Sequence, residues 1–302
     1  TKMAETTRIT SLNMLLDPTG KMLLAEEYGK VIENVQKNTI SGKMKNTELS
    51  GDPSAGTVEA KRFANATSKN YGTARGAAKG DGVKGKPVTI PINVDKEIVE
   101  EIAKKDIKLY GLAGMAEKRK VNHTKRMIAY LDTEFFSKAV SEGTELKNIT
   151  ETSIEEILEA LIQSVETTQN DWVDGVDRDM LVLVVKPNVY GKIRNYIDKV
   201  DGTEGTTEYF HNVRLFSNHR QTKDAICMID GAVAQLVTTD EYDAEKIPLS
   251  NDIALELFFS KGTKAVMPDL IKYIASVGTD NTVKVKVTNT DKDPVNTKTV
   301  SA

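Results

Sequence analysis

The chain has 302 residues and a formal net charge of −3, with 39% hydrophobic and 28% charged residues. This is a globular composition with enough apolar residues for one large or two modest domains. It excludes a membrane-spanning helix, because no apolar run approaches the roughly 20 residues that a bilayer requires. The stretch TKMAETTRIT lacks the layout of a secretory signal, so we expect no membrane partner.

Groups for catalysis or metal binding are scarce. The three histidines have no ligand spacing, and the one cysteine, Cys227, lies in the apolar run AICMID, which predicts a buried thiol. Residues 171–179 are acidic but lack the EF-hand order, so they predict a solvated loop. We therefore expect no catalytic residues, no cofactor and no metal site.

Charge is distributed unevenly along the chain. Residues 58–91 contain seven basic and two acidic residues, whereas residues 141–179 contain eleven acidic and two basic residues. Such asymmetry concerns partners rather than fold. A basic segment and an acidic segment in one chain predict attraction between copies.

Residues 1–55 are predicted to be a polar N-terminal arm with one helix. Asp17 is suited to the N-cap and Pro18 to the first helical position, and apolar residues then follow helical spacing as far as Val35. The stretch that follows, NTISGKMKNTELSGDPSAG, is typical of a loop.

Residues 56–94 predict a long hairpin with a glycine-rich tip. Short alternating segments, including VTIPIN, stand at both ends of this region, and Pro91 favours an edge position. The tip has almost no apolar residue to bury, so alone it should be mobile.

Within the tip, the stretch GDGVKGKP matches GxGxxG and nearly matches the phosphate-binding loop of NTPases. A dinucleotide-binding turn must follow a buried strand and begin a helix, whereas here YGTARGAAK precedes the glycines. The phosphate loop needs Ser or Thr after its lysine, and Pro87 stands there. Context therefore favours flexible glycines, with nucleotide binding by residues 80–86 as the weaker alternative.

The next segments predict helices and then a mixture of helices and strands. Asp95 is predicted to cap a short helix carrying Ile98, Val99 and Ile102, and a long helix is predicted over residues 115–142. Ser153 and Glu156 form a capping box for a second helix. DMLVLVV, NVRLFSN, AICMID, IALELFF and LIKYIAS predict strands, which gives an α+β class. The alternating stretch at 283–287 predicts a further strand with no obvious hairpin mate.

This order of parts resembles the major capsid (head) protein of tailed bacteriophages, which has the Hong-Kong-97-type fold. The resemblance covers roughly residues 1–275 and rests on the layout of the polar arm, the Gly/Lys-rich hairpin, the long spine helix and the stretch FFSKGTKAVMPDLIKYIAS. It implies an arm at 1–55, an E-loop at 56–94, a P domain at 95–198 with its spine helix at 115–142, an A domain at 199–265, a returning P-domain strand at 266–275 and a C-terminal tail at 276–302.

The resemblance also implies a structural, non-enzymatic function. Many copies would form the pentamers and hexamers of an icosahedral head around double-stranded DNA. The implied partners are other copies, a separate scaffolding protein, a portal and packaged DNA held without sequence specificity, in a virion assembled in the host cytoplasm. An encapsulin-type bacterial compartment shell protein is the alternative with the same fold.

The resemblance places the E-loop of one copy across its neighbour. The implied contact residues are Lys61, Arg62, Arg75, Lys79, Lys84 and Lys86. Their possible acidic partners are Glu155, Glu156 and Glu159. The glycines expected to let the loop bend differently in pentamers and hexamers are Gly72, Gly76, Gly80, Gly82 and Gly85.

Overall fold

The computed structural model describes residues 35, 38–66, 70–72, 83–102, 112–147, 149, 151, 153–201, 209–246, 253–277, 286–290 and 297–301. The predicted α+β class is confirmed. The helices are α1 (Leu112–Glu142), α2 (Ile154–Glu166) and α3 (Pro187–Asp201). The strands are β1 (Thr57–Phe63), β2 (Gly85–Pro91), β3 (Val94–Ile102), β4 (Thr144–Glu145), β5 (Gln169–Asn170), β6 (Val173–Asp174), β7 (Leu181–Val185), β8 (Tyr209–Phe210), β9 (Val213–Ser217), β10 (Ala225–Ile229), β11 (Val233–Lys246), β12 (Ile253–Ala265), β13 (Ile271–Ile274), β14 (Lys286–Thr290) and β15 (Thr297–Ser301).

A six-stranded sheet with the order β4-β13-β10-β7-β9-β8 forms the main core. All five residues of β7 are buried, as expected for an apolar strand covered on both faces. Helix α2 covers one face through Leu158, Leu161 and Ile162, and Ser153 accepts a hydrogen bond from the Glu156 amide at its N-terminus. Phe135 and Phe136 of α1 cover the other face.

Strands β7 and β9 are parallel neighbours joined through helix α3. A parallel pair needs a crossover of this kind, so the two strands and the helix form one unit. The boundary predicted between residues 198 and 199 falls within helix α3, and the division into a P domain and an A domain stays a prediction. The returning strand β13 pairs with β10 in the same sheet.

The second sheet has the order β11-β12-β3 and lies against helix α1. The short helix predicted from Asp95 is wrong, because residues 94–102 form strand β3, paired with β12 from Val94↔Lys261 to Ile102↔Ile253. Tertiary pairing outweighs the helix preference of the Glu and Lys residues in VDKEIVEEI. The long helix is confirmed and begins at Leu112.

Strands β1 and β2 form the predicted hairpin, in register from Thr57↔Pro91 to Phe63↔Gly85. Strand β14 pairs with β15. It overlaps the strand predicted at 283–287 only at Lys286 and Val287, which therefore do have a hairpin mate, and residues 283–285 lie outside the described residues. Of the helix predicted after Asp17, only Val35 lies within the described residues.

A buried carboxylate of helix α1 joins two other parts of the chain to this helix. Asp132 is fully buried. Its oxygens accept hydrogen bonds from the Ser41 amide at 3.0 Å and from Arg220 Nη1 at 2.9 Å. These hydrogen bonds tie the Ser41 segment of the N-terminal arm and the loop before β10 to the long helix, and they satisfy a charge that burial would otherwise disfavour.

Candidate assembly interface

The hairpin formed by β1 and β2 is anchored to its own chain along one face, which we call the inner face. Val58, Ala60 and Ile90 are buried there, and Ala60 and Ile90 pack with Ala234 and Val266. A Cβ at Gly262 would lie 2.3 Å from the Pro91 carbonyl oxygen. Glycine therefore permits β12 and β2 to approach each other closely.

A charged clamp completes the inner face. Arg62 Nη1 and Nη2 donate hydrogen bonds to the two carboxylate oxygens of Asp269 at 2.6 and 2.7 Å. Asn170 donates to the same carboxylate at 2.7 Å, and the Arg62 guanidinium lies 5.9 Å from the centre of the Trp172 ring. The Asn65 amide donates to the Asp171 carbonyl at 3.3 Å. These contacts fix the angle at which the hairpin leaves the body.

Burial alone would raise the pKa of the Asp269 carboxyl, but hydrogen bonds from Arg62 and Asn170 outweigh it and hold the pKa below its ordinary value. Asp269 is thus a carboxylate at neutral pH. Beside the clamp, a groove of about 970 Å³ separates the hairpin from the body, with Lys86 and Lys264 among its lining residues. Lys264 Nζ donates to the Thr89 carbonyl at 2.9 Å.

The opposite face of the hairpin, which we call the outer face, is exposed. Phe63 is 58% exposed and Val83 is 86% exposed. Phe63 lies across Gly85, where a Cβ would be 3.3 Å from its ring. Lys61 is also exposed, two residues before Phe63 on the same face of β1. Tyr71, nearer the tip, is 94% exposed. Large exposed apolar side chains of this kind are typical of an interaction surface.

The predicted contact residues and flexible glycines of the hairpin divide into four groups. Lys61, Lys84 and Lys86 are exposed, whereas Arg62 is only 12% exposed in its clamp. Arg75, Lys79, Gly76, Gly80 and Gly82 lie outside the described residues. Gly72 has a φ of 90°, which favours glycine, and Gly85 lies within β2.

Two of the three predicted acidic partners, Glu155 and Glu159, face basic side chains of their own chain. Glu159 accepts hydrogen bonds from Arg178 Nη2 at 2.6 Å, and its other oxygen lies 2.7 Å from His211 Nδ1. Glu155 lies 3.5 Å from His211 Nε2, whereas Glu156 is exposed. Burial would raise the pKa of Glu159, but the hydrogen bonds from Arg178, His211 and Gln163 lower it below the ordinary value.

Within the described residues, no group of three or more His, Cys, Asp or Glu side chains is placed to hold a metal ion. None of the described helices is long and apolar enough to cross a membrane. Gly85 and Lys86 begin strand β2, so the glycine-rich stretch does not lead into the helix that a phosphate-binding turn requires.

The long hairpin, the α1 helix on a three-stranded sheet and the separate six-stranded sheet define the Hong-Kong-97-type capsid fold. The chain is similar to the capsid of cyanophage P-SCSP1u, with a TM-score of 0.56 and 11% identity over 77% of this chain and 85% of that chain. It is also similar to the capsid of Ralstonia phage GP4, with a TM-score of 0.52 and 13% identity over 76% and 85% of the two chains.

A virus-like particle from Pyrococcus furiosus shares the same fold. The TM-score is 0.50 and the identity 13%, over 81% of this chain and 95% of that chain. No family model and no curated protein sequence matches the chain. At such low identities the similarity establishes the fold, and the function has to be argued from the chain itself.

Proposed function

We propose that this chain is the major capsid protein of a tailed bacteriophage, many copies of which assemble into pentamers and hexamers of an icosahedral head around double-stranded DNA. The observation that carries the proposal is the exposed side of the hairpin, where Phe63 shares the outer face with Lys61 and Val83 is exposed nearby. A rigidly anchored arm that presents apolar and basic side chains to solvent is suited to a contact with another copy.

Repetition supplies the strength of such contacts. One exposed ion pair contributes only about 0–1 kcal/mol. In a closed shell every subunit both gives and receives the same contact, so weak contacts become collectively strong. The exposed Lys61, Lys84 and Lys86 are the hairpin cations that we assign to inter-subunit contacts, together with Arg75 and Lys79 nearer the tip. Arg62 would act indirectly by setting the direction of the hairpin.

The wider partners belong to the same proposal. We assign to the chain a separate scaffolding protein, a portal and non-specific contact with packaged DNA, in a virion assembled in the host cytoplasm. The support is the capsid fold and the basic excess of residues 58–91. Electron microscopy of the expressed chain tests self-assembly directly, and we expect closed particles of uniform diameter.

Deleting residues 70–83 tests the role of the hairpin while leaving β1 and β2 intact. We expect a folded, soluble subunit that forms no complete shells, because the distal contacts are lost. Normal shells from this deletion would argue against the hairpin as an assembly element. Mass analysis of particles from the natural host then separates a phage head, which contains DNA and a portal, from a compartment that contains cargo protein.

A further inference from the structure

A mostly apolar groove of about 430 Å³ lies between strand β3 and helix α1. Its apolar lining comes from Ile98 of β3, Met127, Ala129 and Tyr130 of α1, and Phe259 of β12. The Tyr130 and Phe259 rings pack edge to face with centroids 6.3 Å apart, and burial raises the pKa of the Tyr130 hydroxyl. A preformed apolar groove of this volume suits an aromatic or aliphatic side chain.

The same chain carries exposed apolar side chains of matching kind. Phe63 pairs with Gly85, and Val83 is an exposed residue two positions before Gly85, just outside strand β2. The inner face of the hairpin is occupied by contacts with its own body. The outer face is therefore left for a partner outside the chain.

Charge gives the contact a direction. Asp95, Glu97, Val99 and Glu101 alternate along β3 and so share one face of the strand. Glu97 and Glu101 are exposed, and Glu97 also lines the groove. Lys96 is placed over the Tyr130 ring at 5.8 Å, on the inward face of β3.

The cation on the opposite wall of the groove is Arg126 of α1, whereas on the β3 wall Lys96, placed over the Tyr130 ring, also lines the groove beside Glu97. Lys61 lies about 7 Å from Phe63 along β1. When Phe63 of one copy enters the groove, the hairpin can lie in two directions. Lys61 is attracted by Glu97 if it lies over the β3 wall, and it is repelled by Arg126 if it lies over the α1 wall.

We propose that Phe63, with Val83 nearby, occupies the groove between β3 and α1 of a second copy, and that Lys61 then faces Glu97 of that copy. This inference rests on the proposed function, since a shell supplies the second copy, and it adds where on that copy the hairpin binds. It assigns the acidic counterpart of the hairpin to β3 rather than to Glu155 and Glu159, which face Arg178 and His211 of their own chain.

A disulfide cross-link tests the docking in assembled particles. Cys227 is fully buried and burial raises the pKa of its thiol, so the natural cysteine does not compete. In Phe63→Cys/Ala129→Cys, mild oxidation should join one copy to the next and give a ladder of covalent multimers on a non-reducing gel. Val83→Cys/Ala129→Cys retains Phe63 and should give the same ladder.

The matched control is Phe63→Cys/Val121→Cys. Val121 lies on the same helix and is 50% exposed, but it stands about 12 Å from Ala129 along the axis, beyond the reach of a disulfide. We expect at least tenfold less cross-linking in the control. Three results in intact particles would overturn the docking and leave the proposed function standing. They are equal cross-linking yields in the test and control variants, monomers only after oxidation, and a disulfide that forms within a single chain.

Reversing the charges of Lys61 and Glu97 tests the same docking independently, with particle yield as the measurement. Lys61→Glu should lower particle yield at least tenfold, and the added Glu97→Lys should restore most of it. If Lys61→Glu and Glu97→Lys each stay folded and the double variant does not restore particle yield, the pairing of Lys61 with Glu97 is wrong. If the unaltered chain forms no particles even when it is co-expressed with the scaffolding protein of its own virion, the proposed function fails, and the docking fails with it.

Discussion

The two faces of the hairpin differ in their surroundings, because the inner face packs against its own chain and the outer face is exposed to solvent. On the inner face, Ile90 is fully buried and Arg62 is clamped to Asp269 of the same chain. On the outer face, Phe63 is exposed, and Val83 is exposed nearby. The comparison separates folding from assembly within one pair of strands. Changes on the inner face should affect the stability of a single subunit, and changes on the outer face should affect only what subunits form together.

The largest expected effect comes from closing the space behind the inner face. Gly262→Val places a side chain against the Pro91 carbonyl, and we expect a loss of about 3 kcal/mol in the free energy of unfolding. Urea unfolding of unassembled subunits measures it. Gly191→Ala in α3 is the control, because nothing lies within 4 Å of its Cβ, and it should be neutral or stabilising. Equal behaviour of the two variants would mean that β12 and β2 do not pack closely.

Removing the clamp should have a smaller effect. Arg62→Ala leaves the Asp269 carboxylate without its main donor, so we expect a loss of about 2 kcal/mol in the free energy of unfolding. Arg62→Lys keeps the charge but not the two parallel hydrogen bonds, and it should recover only part of the loss. Denaturant titration of the three proteins provides the measurement, and full recovery by lysine would contradict a geometric role for the clamp.

The clamp should also respond to acid. The pKa of Asp269 is held below its ordinary value in the folded chain. The carboxylate therefore contributes stability above the ordinary Asp pKa, and this contribution is lost as the pH falls through the lowered folded value. The stability difference between the natural chain and Asp269→Asn should be largest at neutral pH and shrink below about pH 4. A difference that stays constant down to pH 2 would contradict this assignment.

The smallest effect on stability is expected on the outer face. Phe63→Ser should change the free energy of unfolding of the isolated subunit by no more than about 0.5 kcal/mol, yet reduce the yield of particles. Ile90→Ala, on the inner face of the same hairpin, should lose about 2 kcal/mol or more. Chemical unfolding and particle counts on both variants test the contrast. A strongly destabilised Phe63→Ser would show that the outer face belongs to the subunit core.

Local patterns predicted the elements whose signals are local. Period-two alternation gave the hairpin, and the Ser153 capping box gave the start of α2. Strand β3 was missed because its glutamates and lysine favour a helix, and pairing with β12 decided the outcome. The Arg62 and Asp269 pair lies 207 residues apart in sequence, so no spacing rule reveals it. The partners of Glu159 were hidden for the same reason, since His211 is 52 residues away.

The accessibility of position 63 before and after assembly tests the account most directly. The Phe63→Cys variant is treated with a thiol reagent, once as free subunits and once as purified particles. The buried Cys227 of the unaltered chain gives the background labelling. We predict rapid labelling of free subunits and at least tenfold slower labelling in particles, because a second copy covers the outer face. Equal labelling rates in intact particles would show that this face remains open to solvent and would contradict the account.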